Sequence, residues 1–400
     1  MEQSVNNLAV DLRRPAVAPA VETGLESRLT IEVRPDLDLS RADEEMLESL
    51  IAERARVGVF VSKAWLSGLF AEPPGGVVPS MLLIREGAIL RGVAPIGVRH
   101  TRTRTCVHLL GGAHGSDRVD LVAARGFEAA CSDALLAWAA ESFGRKGFVL
   151  ELRDVPDDSA IWGAVQRAGF ERTLRLALQP REIHTLPYLP LAGPDGDRAI
   201  DAWPLARRRS LDKHRRMLER RGRLRIDLLQ DRGEVATAFE ALAGFLHARW
   251  TGQGERSTLD NPRMMRFHQG ALPLLLAEGR LRMIRLSSDI RTVAVFYGIA
   301  SGNWWGYFLA GYDRAWAGRI HLGQITLAAA MELATREGAV EFDFLKGAER
   351  IKYLWPVRER ATIDADVYSH HAGPQLHRAV SATRDATAAL VKSARSILSA

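Results

Sequence analysis

The sequence predicts an α+β fold in which one structural unit occurs twice along the chain. In each half, apolar strands joined by tight turns come first, and a helix and one further strand follow them. A meander of strands followed by a helix and a strand is typical of α+β proteins rather than of doubly wound ones. The length of 400 residues suits two domains of average size. We therefore expect two copies of one unit in tandem.

The first unit opens with a hairpin, which is indicated by two apolar runs separated by Glu86-Gly87. Its predicted elements are strand 81–85, strand 88–98, strand 105–110, a helix from about Gly126 to Phe143 and strand 147–152.

The second unit repeats this order, with Ser287-Ser288-Asp289 as the hairpin turn. Its predicted elements are strand 280–286, strand 291–300, strand 303–309, a helix from about Gly323 to Glu337 and strand 339–344. Gly338 follows the helix as its expected C-cap. Such self-similarity identifies a repeated fold before any other inference.

Composition divides the rest of the chain. An Ala/Pro/Val-rich tail at the start is predicted to be disordered, and a Pro/Gly-rich segment, 180–204, is interpreted as the connection between the halves. The predicted regions are a tail at 1–26, a first unit at 27–185, a second unit at 186–369 that includes a basic helix at 206–223, and a C-terminal helix at 370–400.

Positive charge is concentrated in one segment. The whole chain carries +6, whereas 207–225 holds ten Lys/Arg against Asp212 and Glu219, which is +8 and leaves −2 elsewhere. Ten basic residues would suit phosphates, but the segment lacks stacking aromatics, and no helix-turn-helix or zinc spacing surrounds it. We expect no DNA partner. A helix of this kind could also bridge the halves or face an acidic membrane surface or substrate.

Cysteine usage and hydropathy indicate a cytoplasmic protein. Cys106 and Cys131 cannot form a disulfide framework, and no Cys/His spacing indicates a metal site. The first 22 residues have no apolar core of a secretory signal, and no run of about 18 apolar residues indicates a membrane span.

The loop before the helix distinguishes the two units. In the first unit this loop, 116–120, is acidic, whereas in the second unit, 314–324, it is basic, contains glycine and leads into a helix N-terminus. Backbone N–H groups and the helix dipole favour an anion there, and glycine lets the backbone approach a pyrophosphate closely. The candidate donor-binding residues are Arg319, His321, Gly323 and Gln324.

The last strand of the second unit brings carboxylates together. Alternation places Glu341 and Asp343 on one face of the strand, where they need water, a cation or a substrate amine. A carboxylate near a strand end, followed by Lys and Tyr, can supply a general base, a charge clamp and a proton donor. The following segment supplies Lys346, Glu349, Lys352 and Tyr353. Earlier in the chain, Arg249-Trp250 could clamp an anionic or sugar-like acceptor.

With these residues, the chain resembles the CelD/BcsL-like GNAT acetyltransferases of cellulose biosynthesis and, more distantly, the FemAB-type peptidyltransferases. The resemblance covers about Trp65 to Tyr368. It is carried by the basic helix 210–222, by 246–250 with 259–268, by 307–313 and by 342–355. One departure is Ala348, which stands where the family commonly has the first of two acidic residues; the second, Glu349, is present.

The resemblance implies two GNAT folds that form an intrachain pseudo-dimer, so that a monomer suffices. It implies transfer of an acyl group, above all acetyl, from acyl-CoA as a substrate to an amine or hydroxyl of a small molecule or a glycan or envelope precursor. Asp343 or Glu349 would then take the proton, Tyr353 would protonate the thiolate, and Arg249, Trp250, Lys346 and Lys352 would contact the acceptor.

Two alternatives stay open at this point. A FemAB-type peptidyltransferase would use the basic helix for an aminoacyl-tRNA donor, and tRNA is a partner under that alternative alone. A non-catalytic accessory protein of exopolysaccharide assembly would retain the fold with a degenerate donor site.

Overall fold

The computed structural model describes residues 29–112, 115–144, 147–171, 176–191 and 204–371, with 374–375 and 378–379. The predicted tail at 1–26 and most of the predicted helix at 370–400 lie outside the described residues. Within the described ranges, no helix is long and apolar enough to cross a membrane.

Each half contains the predicted strands and helix together with elements that the pattern did not reveal. The first half contains β1 (Thr30–Arg34), α1 (Arg41–Glu53), α2 (Ala55–Gly58), α3 (Lys63–Ala71), β2 (Val78–Glu86), β3 (Ile89–His100), β4 (Thr105–Leu109), β5 (Val122–Ala123), α4 (Glu128–Phe143), β6 (Phe148–Pro156), α5 (Ala160–Glu171) and β7 (Leu176–Pro190). The second half contains α6 (Leu205–Glu219), β8 (Leu224–Leu228), α7 (Arg232–Thr251), α8 (Pro262–Ala277), β9 (Leu281–Ser288), β10 (Arg291–Ser301), β11 (Trp304–Tyr312), α9 (Arg314–Ala317), α10 (Leu322–Arg336), β12 (Glu341–Asp343) and β13 (Arg358–Ser369). Short 3₁₀ turns cover Val59–Val61, Thr258–Asp260 and Lys352–Leu354.

The interpretation of the Pro/Gly-rich segment as a connection is wrong for its first part. Residues 180–190 belong to β7, a strand of 15 residues. Pro180 is tolerated because it pairs with Ala365 at a register shift between β7 and β13, where the hydrogen-bond ladder is interrupted. Pro190 ends the strand. The predicted boundary between 185 and 186 therefore falls inside β7.

One continuous sheet of thirteen strands runs through the described part of the chain. Its order is β1-β2-β3-β4-β6-β13-β7-β12-β11-β10-β9-β8, with β5 paired to β3. The two halves exchange strands at the centre, since β7 pairs with β12 of the second half and β13 pairs with β6 of the first. The halves therefore form an intrachain pair that cannot separate without breaking the sheet.

Packing reinforces this exchange. One apolar core covers one face of both halves and joins α1, α3, α7 and α8, with α3 packed directly on α8. Two separate cores lie elsewhere, one around α4 and α5 and the other around α6 and α10. The shared core includes Trp65 of the first half and Phe267 of the second, whose rings meet edge to face at 5.1 Å.

The parallel strands β11 and β12 diverge after a short contact. They pair over three residues, the last pair being Gly306 and Asp343. Beyond this point β11 continues along β10, whereas the chain after β12 follows β7 through hydrogen bonds from Phe344 N to Pro187 O (2.9 Å) and from Gly347 N to Thr185 O (3.3 Å). The two strands therefore splay apart and leave a gap in the sheet.

Candidate functional site

A cavity of about 670 Å³ opens at the splay between β11 and β12. Its walls are β11 residues 307–310 and the segment 344–352, and the C-terminus of α7 and the N-terminus of α8 close it. The first half contributes Gly115, Ser116, Asp117 and Asp154, so both halves build the cavity. Its volume lies within the range of small-molecule sites.

A β-bulge lies on the cavity wall. On β11, Tyr307 pairs with Gly298 and Leu309 pairs with Tyr297, so Phe308 has no partner on β10. A bulge interrupts the ladder locally and leaves its extra residue unpaired. The bulged residue, Phe308, lines the cavity.

The turn that forms the opposite wall has an unusual backbone. Leu345 has φ +56° and Gly347 has φ +109°, and a non-glycine residue at positive φ costs about 1–3 kcal/mol. The Lys352 ammonium stabilises this turn by donating to the carbonyl oxygens of Lys346 (2.7 Å) and Gly347 (3.1 Å). Lys352 is 3% exposed. Although Lys352 lines the cavity, its ammonium group is hydrogen-bonded to the backbone of the turn.

Asp343 lies outside the set of residues that line the cavity. Its side chain is fully buried between Arg118 (3.3 Å) and Arg360 (3.8 Å), and its Oδ1 accepts a hydrogen bond from Leu345 N (2.8 Å). Neighbouring Glu341 is likewise paired, with Arg56 at 2.8 Å and Arg360 at 2.7 Å. Arginines therefore pair with both carboxylates that the sequence placed on one strand face. Asp343 also contacts the turn of the cavity wall, on the side away from the cavity, through Leu345 N.

Two other carboxylates line the cavity, one from each half. Glu349 is half-exposed and paired with the Lys352 ammonium at 2.8 Å. Asp117, from the first half, accepts a hydrogen bond from Lys346 N at 3.4 Å. Burial, with the nearby charge of Asp154, raises the pKa of Asp117 to about 6. A carboxyl group with this pKa can exchange a proton near neutral pH.

Lys346 joins the two halves at the cavity floor. Its ammonium lies 2.7 Å from Asp154 Oδ1. Asp154, His184 and Asp364 hold one ligand atom each within 4.8 Å of one another, a spacing that could hold a metal ion. The Lys346 ammonium already supplies a positive charge to this cluster.

Tyrosine placement differs from the sequence-based assignment. Tyr353 is 41% exposed, lies outside the cavity-lining set, and donates a hydrogen bond to Glu359 at 2.6 Å. Tyr307 lines the cavity, and burial raises its pKa to about 12. Its hydroxyl is therefore protonated at neutral pH.

The predicted acceptor residues Arg249 and Trp250 do line the cavity, with the Arg249 guanidinium 5.3 Å from the Trp250 ring. His268 also lines it and is fully buried. Burial lowers the pKa of His268 to about 3, so the imidazole is neutral. Among the described residues, its Nε2 has no hydrogen-bond partner. The cavity thus combines cationic, aromatic and neutral polar groups.

The predicted donor loop lies next to the cavity. A Cβ added to Gly323 would lie 3.2 Å from Ile351, which lines the cavity. The same Cβ would lie 3.3 Å from Tyr312. His321 precedes α10, and its ring stacks on His214 of α6 at 4.0 Å. Arg319 is exposed. The first turn of α10 therefore adjoins the splay, as a site for the anionic part of a donor requires.

Sequence reasoning missed Asp117, Tyr307 and His268 as cavity residues. Asp117 was assigned to an ordinary acidic loop, because nothing local indicates that the first half faces the second-half site. Tyr307 lies on the predicted strand 303–309 and within the stretch 307–313 that carries the family resemblance, so that stretch was the available signal. His268 follows Phe267 on α8 and carries no local signal of a cavity.

A family of known proteins matches part of the chain. Residues 206–353 match the family described as "Acetyltransferase (GNAT) domain". The second half is therefore similar to GNAT acetyltransferase domains. The chain as a whole has the α+β fold of tandem GNAT proteins. The splayed strands, the bulge and the adjoining helix N-terminus all belong to the matched domain, whereas Asp117 and Asp154 come from the half that precedes it.

Solved structures extend the similarity in fold to both halves. The crystal structure of FemX superposes with a TM-score of 0.58 at 10% identity, over 87% of this chain and 99% of that one. The C-terminal domain of a putative lysylphosphatidylglycerol synthetase from Agrobacterium fabrum superposes with a TM-score of 0.51 at 11% identity, over 87% and 96%. A tandem GNAT protein from the clavulanic acid biosynthesis pathway gives 0.43 at 12% identity, over 84% and 98%. No curated protein matches the chain in sequence.

Proposed function

We propose that the chain transfers an acyl group, acetyl in the simplest case, from acyl-CoA to an amine or hydroxyl acceptor bound in the cavity. The observation that carries this proposal is the splay between β11 and β12, which opens into a cavity lined by both halves. The GNAT domain match at 206–353 supports acyl transfer as the reaction class.

The donor would lie across the second half. Its pyrophosphate would contact Arg319, His321, Gly323 and Gln324 at the start of α10, where the helix dipole favours an anion. Its thioester would enter the splay past Ile351, which adjoins Gly323 and lines the cavity. The backbone at the Phe308 bulge would stabilise the oxyanion.

The acceptor would attack the thioester carbonyl directly. The acceptor nitrogen or oxygen forms a bond to the carbonyl carbon, the C–S bond breaks, and the acceptor loses one proton. Asp117 is the best-placed base, because it faces the cavity and its pKa is raised to about 6. Glu349 remains the second choice because Lys352 engages its carboxylate. Tyr307 would protonate the departing thiolate, and positioning would supply much of the rate.

The remaining predicted residues receive separate roles. Arg249 and Trp250 would hold the acceptor at the cavity mouth. Asp343 and Lys352 would act as positioning residues through the turn at Leu345 and Gly347. Lys346 would orient Asp154 beside the acceptor. A place in polysaccharide or cell-envelope biosynthesis rests on the resemblance alone.

Calorimetric titration with acetyl-CoA and with CoA tests the donor. We expect binding by the wild type, weaker binding by Arg319→Ala, and wild-type binding by Arg336→Ala, which removes the same charge from the other end of α10. A folded wild type that binds neither molecule would refute the acyl-CoA proposal. Binding would justify a screen of amine and hydroxyl acceptors by mass spectrometry.

A FemAB-type peptidyltransferase with an aminoacyl-tRNA donor is the second candidate. It is favoured by the fold shared with FemX and by the exposed basic face of α6. The opposite side of this helix packs against α10 near the donor loop. Salt-sensitive tRNA binding without affinity for CoA would select it. A folded protein that binds neither tRNA nor CoA would instead support the accessory role.

A further inference from the structure

The outward face of α6 carries a stripe of four basic side chains. Arg209, Lys213, Arg216 and Arg220 are all exposed and follow the spacing i, i+4, i+7 and i+11, which places them along one face. At 1.5 Å per residue the stripe is about 16 Å long. In the described part of the chain none of the four forms an ion pair with an acidic residue.

Folding of the helix does not require this stripe. The opposite face of α6 carries Leu211, His214 and Leu218, which are buried, and Arg215 pairs with Glu332 of α10 at 2.8 Å. The exposed acids Asp212 and Glu219 lie roughly a quarter of a turn away from the stripe. The stripe therefore presents unbalanced positive charge to whatever lies outside the molecule.

An exposed apolar side chain lies at the end of the stripe. Ile290, at the tip of the β9–β10 hairpin, is fully exposed. The tip is fixed to the segment after α6 by two hydrogen bonds, from Arg223 N to Asp289 Oδ1 (2.8 Å) and from Asp289 N to Arg223 O (2.9 Å). Gly222 packs on Asp289 so closely that a Cβ there would clash. Ile290 is thus held next to the segment Gly222–Arg223, which directly follows the stripe.

We propose that this corner, formed by the α6 stripe and the Ile290 tip, docks on the surface of an anionic lipid bilayer. Unpaired Lys/Arg side chains are attracted to anionic headgroups, and an exposed apolar residue beside them inserts at the interface. A surface built for nucleic acid would use stacking aromatics, and the stripe has none, whereas a projecting isoleucine suits lipid. The donor loop starts beside the same helix, so docking would hold the site near the membrane surface.

Vesicle sedimentation tests the proposal with the full-length protein. We expect it to cosediment with vesicles of phosphatidylglycerol and phosphatidylcholine, and far less with phosphatidylcholine alone. A variant with Arg209, Lys213, Arg216 and Arg220 all changed to Gln should partition at least about a hundredfold less, since each charge contributes roughly fivefold. The matched control changes four exposed basic residues elsewhere to Gln and should bind as the wild type does: Arg102, Arg125, Arg232 and Arg336.

Ile290→Ser separates lipid from other polyanions because it leaves the charge unchanged. We expect it to weaken vesicle binding several-fold, whereas Val78→Ser, at another exposed apolar position, should not. Equal vesicle binding by the stripe variant and its matched control would overturn the proposal. So would tRNA binding that depends on the stripe but not on Ile290, combined with no preference for anionic vesicles, because that result identifies an RNA surface.

Discussion

Arg118 and Asp343 meet across the two halves of the molecule. Arg118 Nη1 lies 3.3 Å from Asp343 Oδ2, and the two side chains are 3% and 0% exposed. Asp343 also accepts a hydrogen bond from Leu345 N, at the start of the cavity turn. One carboxylate therefore connects the assembly of the halves to the shape of the site.

Asp343→Asn should reduce the stability of the protein more than its turnover. The amide keeps an acceptor for Leu345 N but leaves the buried Arg118 charge without its anion, and breaking a buried pair costs about 3–5 kcal/mol. We expect a loss of that size in the free energy of unfolding, measured with denaturant. The exposed carboxylate of Glu359 gives the control, because Glu359→Gln should cost less than about 1 kcal/mol. Wild-type stability with lost turnover would instead assign Asp343 to catalysis.

Asp120 should make stability depend on pH. It is 1% exposed, and burial raises its pKa from 3.8 to about 7 despite the Arg54 charge. Because the folded state holds this proton more tightly than the unfolded state, protonation of Asp120 contributes to the free energy of unfolding. This contribution is complete below pH 3.8 and is lost as the pH rises to about 7. At about 1.4 kcal/mol for each unit of pKa difference, the loss is at most about 4 kcal/mol.

Asp120→Asn removes this dependence while keeping an acceptor for Leu121 N. We expect the variant to gain stability relative to the wild type as the pH rises from 4 to 8. Denaturant unfolding at several pH values measures the difference, and Asp212→Asn, at an exposed position, removes the same charge as a control. A difference between Asp120→Asn and the wild type that does not change with pH would show that Asp120 is ionised throughout.

The repeated fold could be predicted from local patterns, whereas its assembly could not. Apolar alternation and turn residues predicted β2, β9 and β10 to within a few residues, because each pattern is contained in one segment. The exchange of β7 and β13 between the halves depends on pairing between residues nearly 200 positions apart. Its prolines, read locally, indicated a connection instead of a strand.

The candidate site, too, could be predicted from local patterns only in part. Glu349, Lys346 and Lys352 lie close together in sequence and at the cavity, so local reasoning found them. Asp343 is equally close in sequence but faces Arg118, and which side of a short strand is buried depends on the distant first half. Asp117 reaches the cavity through that same packing. Sequence therefore predicted the side chains of one wall, while the other wall required the three-dimensional structure.

Asp117→Asn should remove the ascending limb of the pH–rate profile. In the wild type, turnover should rise through about pH 6 as Asp117 ionises, because the carboxylate is the form that accepts the proton. The variant should lose roughly 10²–10⁴-fold in turnover while retaining acetyl-CoA affinity. Glu349→Gln is the paired comparison and should keep the limb. The reverse pattern, with the limb lost in Glu349→Gln alone, would assign the base to Glu349.

Lys352→Met should loosen the cavity turn. The ammonium donates to two backbone carbonyls and pairs with Glu349, and charged hydrogen bonds contribute about 1.5–3 kcal/mol each. We expect lower stability and lower turnover together, and Lys352→Arg should not restore either, because a planar guanidinium cannot replace a compact ammonium among converging carbonyls. Lys63→Met, in an exposed ion pair with Glu44, is the control and should change stability by less than about 1 kcal/mol.

Tyr307→Phe tests which tyrosine protonates the leaving group. Tyr307 lines the cavity and its pKa is raised to about 12, so its hydroxyl can donate a proton across the neutral range. We expect turnover to fall by about 10²–10⁴-fold with acetyl-CoA affinity unchanged, as measured by steady-state kinetics and calorimetry. Tyr353→Phe is the matched control, because that hydroxyl is exposed and donates to Glu359. Loss of turnover in Tyr353→Phe with a fully active Tyr307→Phe would restore the assignment that the sequence alone suggested, and would require the turn at 352–354 to move toward the cavity when substrate binds.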